Sequence, residues 1–413
     1  MKISRRISLA ALAFSALSAT VLAQTPSPSP QQEKQIVSSN NAFACDLYAQ
    51  LRDTKGNLFF SPFSVSTALA MTSAGAKADT AAQMRKALRF PASQDDVHAG
   101  FAGLLRRLDE VNRGGSVQLN MANSLWPQTG APIHESFLAL VKQSYGVEIT
   151  PVDYKHAEPE ARAQINRWVE EKTQDKINDL ISRPLSEDAR LVLVNAVYFK
   201  GDWEHAFDAV LTKDESFFSG DGRVVQTPLM QQTNQFNYAE LNNSQLIELP
   251  YKSGALSMFV VLPKDKTSAS LTKLENGLAG KQIAAWKAQM RETEVQVFLP
   301  KFRLEWGTAS LTQALKNLGM NNAFVSGKAD FSGISGDKFF IGDVLQKAFV
   351  AVDEEGTEAA AATAVTMAAG AAPGPVAPPP VFRADHPFMF FIHDNATGSI
   401  LFMGRVVKLA ADQ

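Results

Sequence analysis

Residues 354–382 read EEGTEAAAATAVTMAAGAAPGPVAPPPVF. The side chains are almost all small (Ala, Thr, Gly and Pro), so no core can be built from them and the stretch is expected to be exposed. It lies between two strand-like runs, 338–350 and 387–392. A connection well beyond about 15 residues inside a compact domain is either functional or a linker. Core strands still have to be placed after it, which argues against a linker and for a working loop.

Outward from that loop, the chain is long enough for a substantial core: 413 residues, 45% of them hydrophobic. This fits one large domain or two ordinary ones. With 40 basic and 42 acidic residues the formal net charge is -2, so no field of one sign draws the chain to nucleic acid or an anionic membrane. There is one cysteine, Cys45. No internal disulfide is available, so stability must come from burial. Cys45 reads as a small buried hydrophobe on a helix rather than a catalytic thiol.

The N-terminus reads as an export signal. Lys2, Arg5 and Arg6 give a positive start, 7–22 is apolar but too short to span a bilayer, and Val21 and Ala23 place small residues where a signal peptidase cuts. Residues 1–23 are therefore expected to be removed, leaving a secreted or periplasmic protein with no membrane attachment. A Pro/Ser-rich tether is expected over 24–37 and one folded domain over 38–411.

Apolar spacing predicts helices over 41–51, 63–74 (with Ser61-Pro62 as cap and first turn), 135–145, 161–181 and 309–318. Strands are expected over 116–126, 191–199, 245–250, 256–262, 294–302, 387–392 and 399–407. The run LVLVNAVYF at 191–199 is apolar on both faces, as in a covered strand. Asn195 sits in its middle, and a buried amide needs partners. Helices concentrate in the first half and strands in the second, which predicts an α+β fold with helices packed on large mixed or antiparallel sheets.

No catalytic constellation is present. G-x-S-x-G, P-loop, G-x-G-x-x-G and H-E-x-x-H motifs are absent. The six histidines, His98, His134, His156, His205, His386 and His393, have no metal-ligand spacing. Glu354, Glu355 and Glu358 read as a solvated acidic cluster. Neither a catalytic residue nor a metal or other cofactor is expected.

Several separated stretches together resemble the serpin family. They are NLFFSPFS at 57–64, VNAVYFKGDW at 194–203, PKF at 300–302, DFSGI at 330–334, DHPF at 385–388 and LFMGRV at 401–406. The most specific is EEGTEAAAAT at 354–363, which is similar to the hinge of inhibitory serpins: Glu354, Gly356, Thr357, Glu358, Ala359, Ala360, Ala361, Ala362 and Thr363. The resemblance implies a serpin fold, and a bait loop that a serine protease attacks. The cut loop then enters a central sheet as a new strand, and the covalent acyl-enzyme is trapped. A monomer is expected. The resemblance also implies polar residues beneath the opening sheet at Ser64, Asn195 and Gln346, with Gln346 where the family often has a histidine, and it places Trp203 near the entry point.

Insertion constrains the loop. Counting from the hinge, Thr357, Ala359, Ala361 and Thr363 would face inward, and all are small; a bulky or charged group there would cost about 1–3 kcal/mol or more. Proline cannot enter a central strand, so the insertable segment ends before Pro373. The family's spacing from hinge to cut puts the reactive bond at Gly370–Ala371, with Ala369 or Ala371 before the cut if the register slips by one. Counting back from Pro387 would put it nearer Val376. Residues 367–371, MAAGA, suit a small apolar primary pocket of an elastase-like or subtilisin-like protease. Two alternatives remain at this stage: a non-inhibitory serpin that binds, stores or chaperones, and a hydrolase with an unfamiliar site.

Overall fold

The computed structural model describes residues 29–147, 149–185, 189–357 and 377–409. The first half forms α1 (Pro30–Leu51), β1 (Leu58–Phe60), α2 (Pro62–Ser73), α3 (Ala78–Ala87), α4 (Gln94–Arg113), β2 (Val117–Pro127), α5 (Glu135–Tyr145), α6 (Glu158–Lys172) and β3 (Leu191–Asp202). There follow β4 (Lys213–Phe218), β5 (Val224–Glu240), β6 (Ser244–Pro250), β7 (Leu256–Pro263), α7 (Ser268–Asn276), α8 (Gly280–Gln289), β8 (Arg291–Pro300), β9 (Phe302–Ser310) and α9 (Thr312–Asn317). The last elements are β10 (Asp343–Val352), β11 (Gly356–Thr357), β12 (Val381–Arg383), β13 (Phe388–Asp394) and β14 (Ile400–Val406). The fold is α+β, as the distribution of patterns predicts.

Two sheets organise these elements. One runs β1-β14-β13-β7-β6-β5-β8-β12, with β4 added on β5. The other runs β2-β3-β11-β10-β9. The second is covered on both faces because β3 is apolar on both. Leu191, Leu193, Val197 and Phe199 join the main core. Val192, Val194, Ala196 and Tyr198 join a smaller core with Trp126, Tyr154 and residues of α6. Asn195 falls on the main-core side, by the period-two alternation of a strand.

Three expectations are corrected. The tether expected over 24–37 gives way to helix from Pro30, because Ser29 caps the helix: its side chain accepts from Gln32 N while the Gln32 side chain accepts from Ser29 N. Two orphan amides are thereby satisfied beyond the start suggested by the apolar spacing. The helix expected over 161–181 ends at Lys172, and Gln174, Asp175 and Asp179 adopt positive φ. The apolar residues Ile177, Leu180 and Ile181 are buried all the same, because Asn166 bonds both the N and the O of Ile181 and folds the segment back. The loop is not exposed at its start: Gly356 and Thr357 are buried as β11.

Candidate functional site: the docked hinge and the polar cluster below it

The site begins where β3 and β10 part. Lower down, the two strands pair directly and in parallel, from Asp343↔Val192 to Phe349↔Tyr198. Higher up, the chain leaves β10, turns at 353–355 and returns between them. Thr357 pairs antiparallel with Val352 on one side and with Gly201 on the other. The turn is held by Asp353, whose carboxylate accepts from Glu355 N at 3.1 Å and Gly356 N at 3.2 Å. This is a local side-chain mimic of a backbone turn.

The docked segment is bonded at every step. Phe207 N donates to Glu354 O and Trp203 N to Glu355 O, each at 2.7 Å. Trp203 Nε1 donates to Asp353 O at 3.0 Å. Its indole stacks on Tyr251, with centroids 4.7 Å apart, and Tyr251 Oη bonds Thr357 Oγ1 at 2.8 Å. Only glycine fits before that threonine, since a Cβ on Gly356 would lie 2.1 Å from Gly201 O. Thr357 itself is fully buried.

Glu354 is not a solvated carboxylate, as the sequence suggested. It pairs with Lys301 Nζ at 2.7 Å and accepts from Thr212 Oγ1 at 2.9 Å. Burial raises its pKa, but the Lys301 and Thr212 bonds outweigh burial, and the net shift is downward.

Below the docked strand, Ser64, Asn195 and Gln346 meet in one buried cluster with Ser61 and Asn123. Asn195 Nδ2 donates to Ser64 Oγ and to Asn123 Oδ1, and Ser64 Oγ donates to Asn123 Oδ1 at 2.9 Å. Gln346 Nε2 donates to Asn195 Oδ1 and, at 3.0 Å, to Ser61 O, while its Oε1 accepts from Ser61 N at 3.2 Å. The cluster therefore ties α2 to β2, β3 and β10, and no member titrates near neutral pH.

The sequence residues Ser64, Asn195, Trp203, Gln346, Glu354, Gly356 and Thr357 are thus gathered along one seam. Glu358, Ala359, Ala360, Ala361, Ala362 and Thr363 lie outside the described residues, as do Ala369, Gly370, Ala371 and the signal segment 1–23. Sequence reasoning missed Asn123, Tyr251 and Lys301. Asn123 carried a readable signal, being an amide in phase with Val117 and Leu119 on the core side of β2. Lys301 stood inside the PKF stretch at 300–302, but nothing local in it or in Tyr251 points to the hinge, which each reaches only through the tertiary fold.

Several other titratable side chains among the described residues are enclosed. Burial, with Asp46 adding to it, raises the Cys45 thiol to about 12, well above the range of a reactive thiolate. His98, His386 and His393 are buried against Tyr145, Asp385 and Glu248. Among the described residues no group of His, Cys, Asp and Glu could hold a metal ion.

A family model described as Serpin (serine protease inhibitor) matches residues 38–409. The chain belongs to the serpin family. Among its relatives, an uncharacterized serpin-like protein of Thermococcus kodakarensis is 44% identical over 378 residues, covering 91% of this chain and 86% of the relative. Leukocyte elastase inhibitor A of Rattus norvegicus is 39% identical over 385 residues, covering 90% and 99%. Among solved structures, human thyroxine-binding globulin in complex with thyroxine superposes with a TM-score of 0.81 at 30% identity, covering 91% of this chain and 99% of that one. This serpin's 57–64 stretch holds β1 and the start of α2 with Ser61 as its N-cap, its 194–203 stretch lies in β3 and ends at Trp203 just beyond it, and its 401–406 stretch lies in β14.

Proposed function

We propose that this serpin inhibits a serine protease as a suicide substrate, its cut loop entering the five-stranded sheet between β3 and β10. The observation that carries this reading is the docked hinge: β11 already pairs with both strands at the head of their parallel seam. Each further residue would add to a ladder whose first rung is made. Continuing the same register brings position 366, a threonine, opposite Val192 and Asp343, where the parallel pair begins. That end lies ahead of Pro373, which could not be accommodated, and ahead of the reactive bond at Gly370–Ala371. Thr357 faces inward, so Ala359, Ala361 and Thr363 follow it inward by alternation.

The Met367–Ala371 segment offers no basic or aromatic residue to a primary pocket. The target is an elastase-like or subtilisin-like protease, in keeping with the relatedness to leukocyte elastase inhibitor A. The protein acts as a monomer outside the cytoplasm, after removal of residues 1–23, in the periplasm or the medium. It needs no cofactor.

The similarity to thyroxine-binding globulin supports a second reading, a carrier with a loop that stays out. Cleavage within 367–371 by a non-target protease separates the two. About ten new rungs at roughly 1 kcal/mol each would raise the thermal midpoint by upwards of about 10 °C. An unchanged midpoint after cleavage favours the carrier. For the target class, incubation with pancreatic elastase or subtilisin should yield an SDS-stable complex; complexes formed only with trypsin-like enzymes would overturn it.

A further inference from the structure

We propose that the cavity between the end of α2, α3 and the start of α4 binds a small amphiphilic anion, an alkyl or aryl carboxylate with a single charged head. The cavity holds about 290 Å³, at the lower edge of the range for small-molecule sites. Its floor is buried and apolar, formed by Ala76, Phe90 and Val97. Its sides are Ala78, Ala81 and Ala82; the space exists because α3 offers methyl groups where longer side chains would close it. Gln94, at the start of α4, donates from Nε2 to Ser73 O at the end of α2 at 2.6 Å, which fixes these two lining residues relative to each other.

The mouth is cationic. Lys77 and Arg85 both line it and both are exposed. Neither makes an ion pair among the described residues, though the charge of Lys77 reaches Asp330. Arg89, one turn on, shows the contrast: it is clamped by Asp46 at 2.7 Å. Apolar walls with two unpaired cations at the entrance specify both ends of a ligand. A neutral hydrocarbon would leave the cations unused, and a bare inorganic anion would leave the floor wet. The cavity lies away from the hinge, so occupancy is independent of the proposed inhibition.

Titration of the full chain with sodium octanoate in a calorimeter tests this. The expected result is one site per chain, weakened at least tenfold by Arg85→Ala and by Lys77→Ala. Ala82→Leu should abolish binding by filling the cavity; position 82 is exposed and leucine is a good helix former, and an unchanged thermal midpoint of the free variant verifies its fold. Sodium sulfate and 1-octanol should each bind at least tenfold more weakly than octanoate. Absence of octanoate binding overturns the proposal. So does undiminished binding in Arg85→Ala, whose exposed side chain can be removed without unfolding, or sulfate or 1-octanol binding as tightly as octanoate.

Discussion

A single methyl group at position 356 would collide with the Gly201 carbonyl oxygen, so glycine there is required by a close approach of two backbones rather than by a turn. Gly356→Ala should undock Thr357, cost about 1–3 kcal/mol and release the Trp203 indole from Asp353. The urea midpoint and the tryptophan emission maximum would report both; unchanged emission would mean the hinge stays seated. Beneath it, Gln346→Leu would orphan Ser61 N–H and Asn195 Oδ1 in a site without water access. A loss of about 1–3 kcal/mol for each orphaned group is expected, read as a lower urea midpoint. These residues differ in how far the sequence revealed them. Asn195 was legible because an amide in an apolar strand demands partners. The Glu354–Lys301 pair was not, because its members lie 53 positions apart and nothing local in either points to the other.

At the scale of elements, periodicity located most helices and strands but not their ends. Residues 135–145 were placed as observed, since an apolar stripe stops there at Gly146 in the left-handed region. The start of α1 lay hidden because capping, not apolar spacing, sets it. Replacing Ser29 and Gln32 with alanine should cost about 1 kcal/mol and raise amide exchange over 30–36 while leaving 41–51 protected. Equal exchange along the whole helix would contradict the capping account. Helix α6 was overextended for the opposite reason: buried residues at 177–181 kept the helical spacing after the backbone had left the helix. The strand β11 could not be read at all. Two residues of small side chain and no periodicity become a strand only because two neighbours leave a slot for them.

For the whole molecule, several enclosed groups shape the response to acid, Glu354, Asp385 and Asp394 among them, and His98 and Glu248 mark its upper and lower ranges. Burial lowers the His98 imidazole from 6.5 to about 4. The unfolded chain then binds the proton first, so stability is full above 6.5 and falls as pH drops from 6.5 towards 4. Burial raises the Glu248 carboxyl, but the hydrogen bond and charge of His393, with Lys287 and Asn237, take it from 4.5 to about 2. Its contribution is present above 4.5 and is lost as pH falls to 2. Each loss is on the order of 3 kcal/mol. Urea unfolding across this range should show two successive declines, and His98→Gln, which keeps an acceptor for Tyr145, should remove the upper one alone. A single decline below pH 4.5 in the parent protein would contradict the assignment. Acid lability of this kind is invisible in a sequence with a net charge of -2, because it depends on which few groups are enclosed.

The docked hinge also fixes the direction in which the sheet can yield. Extending the parallel register of β3 and β10 by three residues beyond Phe349↔Tyr198 arrives at Val352 and Gly201, the two residues that Thr357 bridges. The strands are therefore in the same phase whether they touch or hold a third between them. Admitting a strand needs lateral widening by about one strand spacing, roughly 4.8 Å, and no sliding along the strand axis. The opening can travel as a zip does, one pair at a time, with the work confined to the moving fork. On its way it must separate the stacked Tyr198–Phe349 ring pair, 6.4 Å between centroids, three positions below the residues that the seated threonine bridges.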